Sequence, residues 1–282
     1  MSDQAPQPIR KLPAARGLAW VSGSWGLFKK QPLRLLLISL FFQFFLSFSQ
    51  AGALGLLVIL CLPALSAGML HAFFLVERGE KPMLAVLFMP FTAKRSIGQL
   101  LLLGGVVMVV ALLIITLVLA GQMVDIDPEI ISRIEQGDVE ALQLIDPQVL
   151  ENAILAMALG AGISGCLTYF SVPLIWFRKG GMGSALVIGL KGMGRNWKPL
   201  LVIGLLLGIL AVPIVLLFGS FYLSALSEGG TASSLLAFLL LLIGPMFQLL
   251  LFGSQYLAFR DIFGLDEAAA GHGNNAGDQL VA

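Results

Sequence analysis

The hydrophobic positions of this chain form long runs without a formal charge, separated by short polar and basic segments. The first run covers residues 35–76 and holds 42 residues. The other four hold 29, 26, 29 and 31 residues and cover 96–124, 152–177, 199–227 and 229–259. A helix needs about 20 apolar residues to cross a bilayer, so the first run is long enough for two crossings and each other run for one. The pattern predicts an all-α polytopic membrane protein with six transmembrane helices.

The small and polar residues around Ser47, Ser49 and Gln50 are the expected turn within the first run. The predicted spans are about 34–49, 53–76, 98–121, 152–177, 199–221 and 234–257.

A short stretch of mixed apolar and basic residues precedes each odd-numbered span, at 17–31, 83–99 and 183–198. In the first stretch an apolar stripe recurs at helical spacing, which is typical of an interfacial amphipathic helix. The stripe consists of Leu18, Val21, Trp25 and Phe28. Each even-numbered span contains a proline: Pro63, Pro173 and Pro245. The chain therefore predicts three hairpins, each preceded by an interfacial helix and each ending in a proline-bearing span.

The connection between the third and fourth spans, residues 122–151, is longer than a turn and contains Asp127-Pro128 and Asp146-Pro147. Aspartate is a preferred N-cap and proline is favoured at the first helical position. Gly137 is expected to end the first helix and Asp138 to cap another. The pattern predicts short helices on the membrane surface.

Composition excludes an ordinary soluble domain, because 58% of the residues are hydrophobic and 12% are charged, against about 45–50% and 25% in soluble proteins. The net charge of +1 conceals a segregation of sign, since Arg133 is the one Lys or Arg of 17 within residues 122–151. Basic residues are retained in the cytoplasm. Both termini are therefore expected in the cytoplasm and 122–151 on the exoplasmic side, and the near-neutral total gives no indication of a nucleic-acid partner.

The ends of the chain are polar. Residues 1–16 are expected to form a cytoplasmic tail, without the features of a cleaved signal peptide. Residues 17–259 form the predicted membrane domain, and residues 260–282, rich in small and polar side chains, are expected to be a disordered cytoplasmic tail.

Several segments carry a family resemblance: 62–70 (LPALSAGML), 77–82 (ERGEKP) and Leu87-Phe88, together with Arg16-Gly17, Trp20, Trp25 and Pro32 near the start. Over residues 10–262 the chain resembles a family of six-span proteobacterial inner-membrane proteins classified as a domain of unknown function. The resemblance implies a bacterial inner (cytoplasmic) membrane. It implies no reaction and no site residues.

Polar side chains within the spans are few. His71 is either a neutral imidazole hydrogen-bonded to a neighbouring helix or a ligand or proton-relay group. Gln43, Gln248 and Gln255 either form interhelical hydrogen bonds or line a polar solute path. These four are the candidate substrate-binding residues.

The basic residues of the interfacial stretches are expected to contact anionic lipid headgroups. They are Lys29, Lys30, Lys191, Arg195 and Lys198. No metal site is expected, because the alternating acids from Asp125 lack the glycine of a calcium loop, and Ile130 stands at that position. No cofactor and no catalytic residues are expected.

The sequence favours a non-enzymatic envelope component that interacts with membrane lipids, with another membrane protein or with a second copy of itself. The alternative is a transporter or channel for a small solute, because proline-broken helices can expose backbone carbonyls within the membrane. A membrane-embedded lipid-modifying enzyme that uses His71 is the third possibility.

Overall fold

The computed structural model of the protein describes residues 9–50, 52–119, 128–135, 141, 144–227 and 231–265, and within these ranges its regular secondary structure is helical. The described α-helices are α1 (Arg16–Lys30), α2 (Pro32–Ser47), α3 (Gly52–Glu77), α4 (Met89–Thr92), α5 (Lys94–Leu119), α6 (Pro128–Glu135), α7 (Pro147–Tyr169), α8 (Ser171–Arg178), α9 (Met182–Arg195), α10 (Trp197–Ser227) and α11 (Thr231–Phe263). Two 3-10 helices, Phe48–Gln50 and Leu84–Phe88, complete the described elements.

Five helical segments of the described chain are long and apolar enough to cross a membrane: Leu54–Glu77, Lys94–Val118, Pro147–Arg178, Trp197–Leu217 and Leu242–Phe263. α2 is also apolar but has only 16 residues. Large apolar side chains such as Leu117 and Ile209 are exposed, as lipid-facing side chains would be. The architecture is that of an all-α, multi-pass membrane protein.

α3 and the second half of α11 lie at the centre of the bundle. α3 packs against α2, α5, α8 and α11, and α11 also packs against α1 and α10. Fully buried aromatic side chains fill the space between these helices, among them Phe73 of α3 and Phe259 and Phe263 of α11. α5 packs mainly on α7 and α3, whereas the outer part of α10 presents its side chains to the surroundings.

Both predicted helix starts in the long connection are confirmed, at Pro128 for α6 and at Pro147 for α7. The Asp146 carboxylate caps α7 by accepting a hydrogen bond from the backbone N–H of Gln148 at 2.8 Å. The fourth apolar helix therefore begins five residues before the predicted boundary at 152. Asp127, Gly137 and Asp138 lie outside the described residues.

The predicted fourth span is not one continuous helix, since α7 ends at Tyr169 and α8 begins at Ser171. Pro173 causes this break because proline has no N–H to donate to the carbonyl four residues earlier. Pro63 and Pro245 lie inside α3 and α11, as predicted, but Pro213 lies inside α10. Prolines are therefore not confined to the even-numbered apolar helices.

The second predicted interfacial helix, 83–99, is wrong. The chain forms a 3-10 helix at Leu84–Phe88 and the single turn of α4, and α5 begins already at Lys94. Pro90 lies in the first turn of α4, and its ring and missing N–H prevent a continuous helix through this stretch. The segment 84–92, which we call the inserted segment, packs against α2 and α3 and buries Val86, Leu87 and Pro90.

Close contact between the inserted segment and α3 depends on Gly68. A Cβ atom added at Gly68 would lie 2.6 Å from the Cα atom of Leu87, whose side chain is fully buried. On the other side, the Phe88 and Phe45 rings meet edge to face with centroids 5.5 Å apart. The segment therefore packs on α2 and α3 through one side, while Phe88 and Met89 on its other side remain 37% and 42% exposed.

α1 forms as predicted, and its apolar stripe is divided: Val21 and Phe28 pack against the core, whereas Leu18 and Trp25 are exposed. The buried residues are Gly17, Trp20, Ser24 and Leu27, whereas Leu18 is 58% exposed. Small residues on the buried face permit close backbone approach, and α1 packs against both α10 and α11.

The boundaries expected for the terminal tails differ from the structure. α11 continues to Phe263, so the helix does not end at 259. Near the other end, the backbone N–H of Arg10 donates to the carbonyl of Ile262 at 3.0 Å, and Ile9 and Leu12 pack against the core. Residues 9–14 are therefore docked on the end of α11. Residues 1–8 and 266–282 lie outside the described ranges.

Candidate functional site

Asp261 joins the start of α1 to the end of α11. Its carboxylate accepts hydrogen bonds from the Arg16 guanidinium, from the Trp20 indole N–H at 2.8 Å and from Arg260 at 2.9 and 3.0 Å. The Asp261 side chain is only 9% exposed. Charge-assisted hydrogen bonds of this kind are stronger than neutral ones. We call these four residues the Asp261 cluster.

Glu77 at the end of α3 extends this cluster. Its carboxylate accepts hydrogen bonds from the Arg260 guanidinium and the Tyr256 hydroxyl of α11. α1, α3 and α11 are thus connected by charged and polar side chains at one end of the bundle. This network was not predicted from the sequence, although the adjacent opposite charges of Arg260 and Asp261 after the last apolar run were an available signal.

Asn196 positions the N-terminal segment next to the junction of α9 and α10. The Asn196 side chain is fully buried; its Oδ1 accepts from the Leu12 backbone N–H, and its Nδ2 donates to the Arg10 carbonyl, each at 2.9 Å. Nδ2 also donates to the Gly192 carbonyl at 3.1 Å. A buried amide with these partners holds residues 10–12 firmly against the junction.

A groove of 340 Å³ lies beside this junction. It is lined by Lys11 and Leu12 of the N-terminal segment, and by Gly194, Arg195, Trp197, Lys198 and Pro199. We call it the basic groove. In the described part of the chain, no carboxylate forms an ion pair with Lys11, Arg195 or Lys198. The groove therefore presents three cations that these carboxylates do not neutralise.

An exposed apolar stripe on α10 leads away from the basic groove. Trp197, at the rim, is 57% exposed, and Leu201, Leu205 and Ile209 follow it at four-residue intervals with exposures of 52%, 58% and 69%. Residues four apart lie on the same face of a helix. The cationic groove is thus continuous with an apolar track along the outside of the bundle.

Other basic connections converge on the same end of the bundle. The backbone N–H of Met182, which begins α9, donates to Oε1 of Gln99 near the start of α5 at 2.7 Å. Burial and the nearby charge of Arg95 lower the pKa of Lys179, whose Nζ lies 4.3 Å from the centroid of the Trp176 ring. The basic segments after α4 and α8 therefore lie close together.

The predicted headgroup residues divide into two groups. Arg195 and Lys198 line the basic groove. Lys29, Lys30 and Lys191 are exposed and do not line it. Lys11 was not predicted as a site residue, because the segment before α1 was expected to be a free tail. Asn196 is a polar residue at the junction of two apolar helices, and it was the available signal that another segment of the chain binds at this junction.

The glutamines do not come together. Gln248 accepts a hydrogen bond from the Ser39 hydroxyl of α2 at 2.6 Å, and Gln255 donates to the Tyr169 carbonyl at 2.6 Å. Gln43 is exposed on α2. Gln248 and Gln255 thus make the interhelical hydrogen bonds of the structural interpretation, each to a different helix. The Gln50 side chain lies outside the described residues.

His71 is surrounded by aromatic rings rather than polar groups. Its ring stacks on Phe74 with centroids 5.4 Å apart and meets Trp176 edge to face at 5.5 Å. Nδ1 is buried and has no hydrogen-bond partner among the described residues. Nδ1 therefore does not make the expected hydrogen bond to a neighbouring helix, and that interpretation of His71 stays a prediction for Nε2.

Within the described ranges, no group of three His, Cys, Asp or Glu side chains is placed to hold a metal ion. Comparisons with protein-family models, with curated proteins and with solved structures found no match to this chain.

Proposed function

We propose that this chain is a six-span bacterial inner-membrane protein with both termini in the cytoplasm, and that it serves as a non-enzymatic envelope component that binds membrane lipids. The observation that carries the proposal is the basic groove, together with the other basic segments gathered at the same end of the bundle. Positively charged segments at the cytoplasmic face attract anionic lipids.

Contact between Arg16 and Asp261 supports the six-span count. If α11 crosses the membrane, the start of α1 and the end of α11 lie on the same side, so the number of crossings between them is even. Five long helices alone give an odd number. α2, with 16 residues, measures about 24 Å, and the following 3-10 helix of three residues adds about 6 Å; together they approach the ~30 Å of a hydrocarbon core.

Native mass spectrometry of the protein released gently from its own inner membrane tests the lipid-binding role. We expect a defined phospholipid adduct on most molecules, because the basic groove and the exposed apolar surface lie together. If one protein co-purifies in a fixed ratio without lipid, the binding partner is a membrane protein or a second copy of this chain instead of a lipid. A bare monomer under all release conditions would contradict the proposal.

A small-solute transporter or channel is the second candidate, and the inserted segment is the observation that favours it. Irregular backbone at membrane depth occurs where it is buried in protein or lines a cavity. The inserted segment has an irregular backbone and contacts α3 where Leu87 meets Gly68, which supports this candidate. Vesicles containing the purified protein should then release trapped small solutes faster than empty vesicles, and equal rates across a broad panel would argue against transport.

A further inference from the structure

The basic groove has the charge and the number of donors that a phosphate group requires. Lys11, Arg195 and Lys198 surround it, and the described carboxylates do not pair with them. A phosphate within reach of several cations gains charge-assisted hydrogen bonds. Two of the cations come from the α9–α10 junction and one from the docked N-terminal segment, so the site exists only in the folded protein.

Trp197 forms the boundary between the polar and apolar parts of this surface. It is exposed at the groove rim, and the Lys198 Nζ lies 5.7 Å from the centroid of its ring. Tryptophan is enriched at the level of lipid headgroups, because its ring is amphipathic. A headgroup at this level directs its acyl chains toward the bilayer core.

The α10 surface below Trp197 provides room for those chains. Leu201 and Leu205 expose their side chains, and Gly204 and Gly208 lie beside them with open space where a Cβ would be. The glycines leave a shallow apolar depression along the helix. An acyl chain packed there would be in contact with protein over about two helical turns.

We propose that the basic groove and the adjoining face of α10 bind one anionic diacyl phospholipid, with its phosphate among Lys11, Arg195 and Lys198. The proposal rests on the proposed lipid-binding function and deepens it, because it assigns the lipid to one site and to one charge class. The apolar track distinguishes a lipid from a free phosphate ester as the occupant.

The test compares two full-length variants with the same loss of charge. The groove variant carries Lys11→Gln, Arg195→Gln and Lys198→Gln. The control variant carries Lys29→Gln, Lys30→Gln and Lys191→Gln, which replaces exposed cations outside the groove. The affinity of each protein for phosphatidylglycerol is titrated first. Each protein is then reconstituted in equimolar phosphatidylcholine and phosphatidylglycerol, and native mass spectrometry quantifies the phosphatidylglycerol that it retains.

We expect the groove variant to bind phosphatidylglycerol about a hundredfold more weakly than the unchanged protein, and the control variant to keep its affinity. Because Lys198 is exposed, Lys198→Gln alone should fold and should weaken binding about fivefold, which keeps the test decisive if the triple variant misfolds. Glycerol 1-phosphate, which lacks acyl chains, should compete poorly.

Each other result overturns the assignment. An equal loss of phosphatidylglycerol affinity in both variants would mean that anionic lipids are attracted by the basic surface in general. The assignment of the lipid to the groove would then be wrong, while the proposed function stands. Unchanged affinity in the groove variant would place the lipid elsewhere. Strong competition by glycerol 1-phosphate would identify a soluble phosphate ester as the ligand. If the unchanged protein retains no phosphatidylglycerol, both this inference and the lipid-binding role fail.

Discussion

Among single residues, Pro173 and Gln255 form a complementary pair. Pro173 has no N–H to donate to the carbonyl of Tyr169, four residues earlier. Gln255 of α11 donates its Nε2–H to that same carbonyl at 2.6 Å. The hydrogen bond that the helix loses is thus replaced by one from a neighbouring helix, and the break between α7 and α8 is held against α11.

Replacing the amide should therefore destabilise the protein only while the proline is present. Gln255→Leu is expected to lower the free energy of unfolding by about 1 kcal/mol, because the Tyr169 carbonyl loses its donor. In a Pro173→Ala background the alanine N–H can bond to that carbonyl, so the same substitution should cost much less. Unfolding in detergent micelles measures both steps.

The matched control for this cycle is Gln43→Leu, which changes an exposed amide on α2. It should leave the free energy of unfolding nearly unchanged. Equal costs of Gln255→Leu with and without Pro173 would show that the amide does not replace the missing helical donor.

Asp261 holds the start of α1 against the end of α11 through its bonds to Arg16 and Trp20. Asp261→Asn leaves Arg16 and Arg260 without their shared negative partner, so we expect a loss of about 2 kcal/mol in the free energy of unfolding. Hydrogen exchange of the α1 amides should accelerate. Arg16→Gln is the control, since Arg16 is 46% exposed and the change removes only one of the donors to Asp261, so its effect should be smaller. Unchanged α1 protection in Asp261→Asn would contradict this account.

At the scale of helices, the apolar runs predicted the element type well, because a charge within a membrane span is costly and long uncharged runs therefore report spans directly. The packing contacts between helices were harder to predict from the sequence. Only half of the predicted apolar stripe of α1 packs on the protein, since the buried face also includes Gly17 and Ser24, which permit a close approach. The 83–99 stretch looked like the other two interfacial stretches, but Pro90 and the space beside Gly68 make it an inserted segment.

Two adjacent glycines of α5 allow the effect of close helix packing to be distinguished from the effect of helix propensity. A Cβ at Gly104 would lie 2.2 Å from the Leu60 carbonyl oxygen of α3, whereas a Cβ at Gly105 would only touch the Leu60 side chain at 3.7 Å. Gly104→Ala must push α3 and α5 apart and should cost about 1–3 kcal/mol. Gly105→Ala should not destabilise the protein. Thermal unfolding in micelles compares them, and equal melting temperatures would mean that this approach is not tight.

For the whole molecule, the sequence predicted the segregation of charge but not how the chain brings the basic segments together. The basic groove needs Lys11 from the N-terminal segment beside Arg195 and Lys198, about 185 residues later in the chain. Spacing alone does not predict such a contact, because it depends on the hydrogen bonds of Asn196. The convergence of these segments at one end of the bundle is what an even number of crossings requires.

Topology can be measured with single cysteines in a background where Cys61 and Cys166 are replaced by serine. With six crossings, Lys29→Cys, Lys191→Cys and Ala282→Cys lie in the cytoplasm, so a membrane-impermeant maleimide should label them only after the cells are opened. Glu135→Cys should react in intact cells, because α6 belongs to the acidic connection on the opposite side.

The pattern of labelling distinguishes the possible counts. Reaction of Ala282→Cys but not Lys29→Cys in intact cells would give an odd number of crossings and remove α2 from the spans; it would also conflict with the Arg16–Asp261 contact. Labelling of Glu135→Cys and Ala282→Cys from the same side would contradict the six-span arrangement itself. α2 is the shortest of the six apolar helices, so labelling of Lys29→Cys is the most informative result. If Lys29 and Lys191 lie on the same side of the membrane, α2 must cross it as α3 does. The basic groove then faces the anionic leaflet.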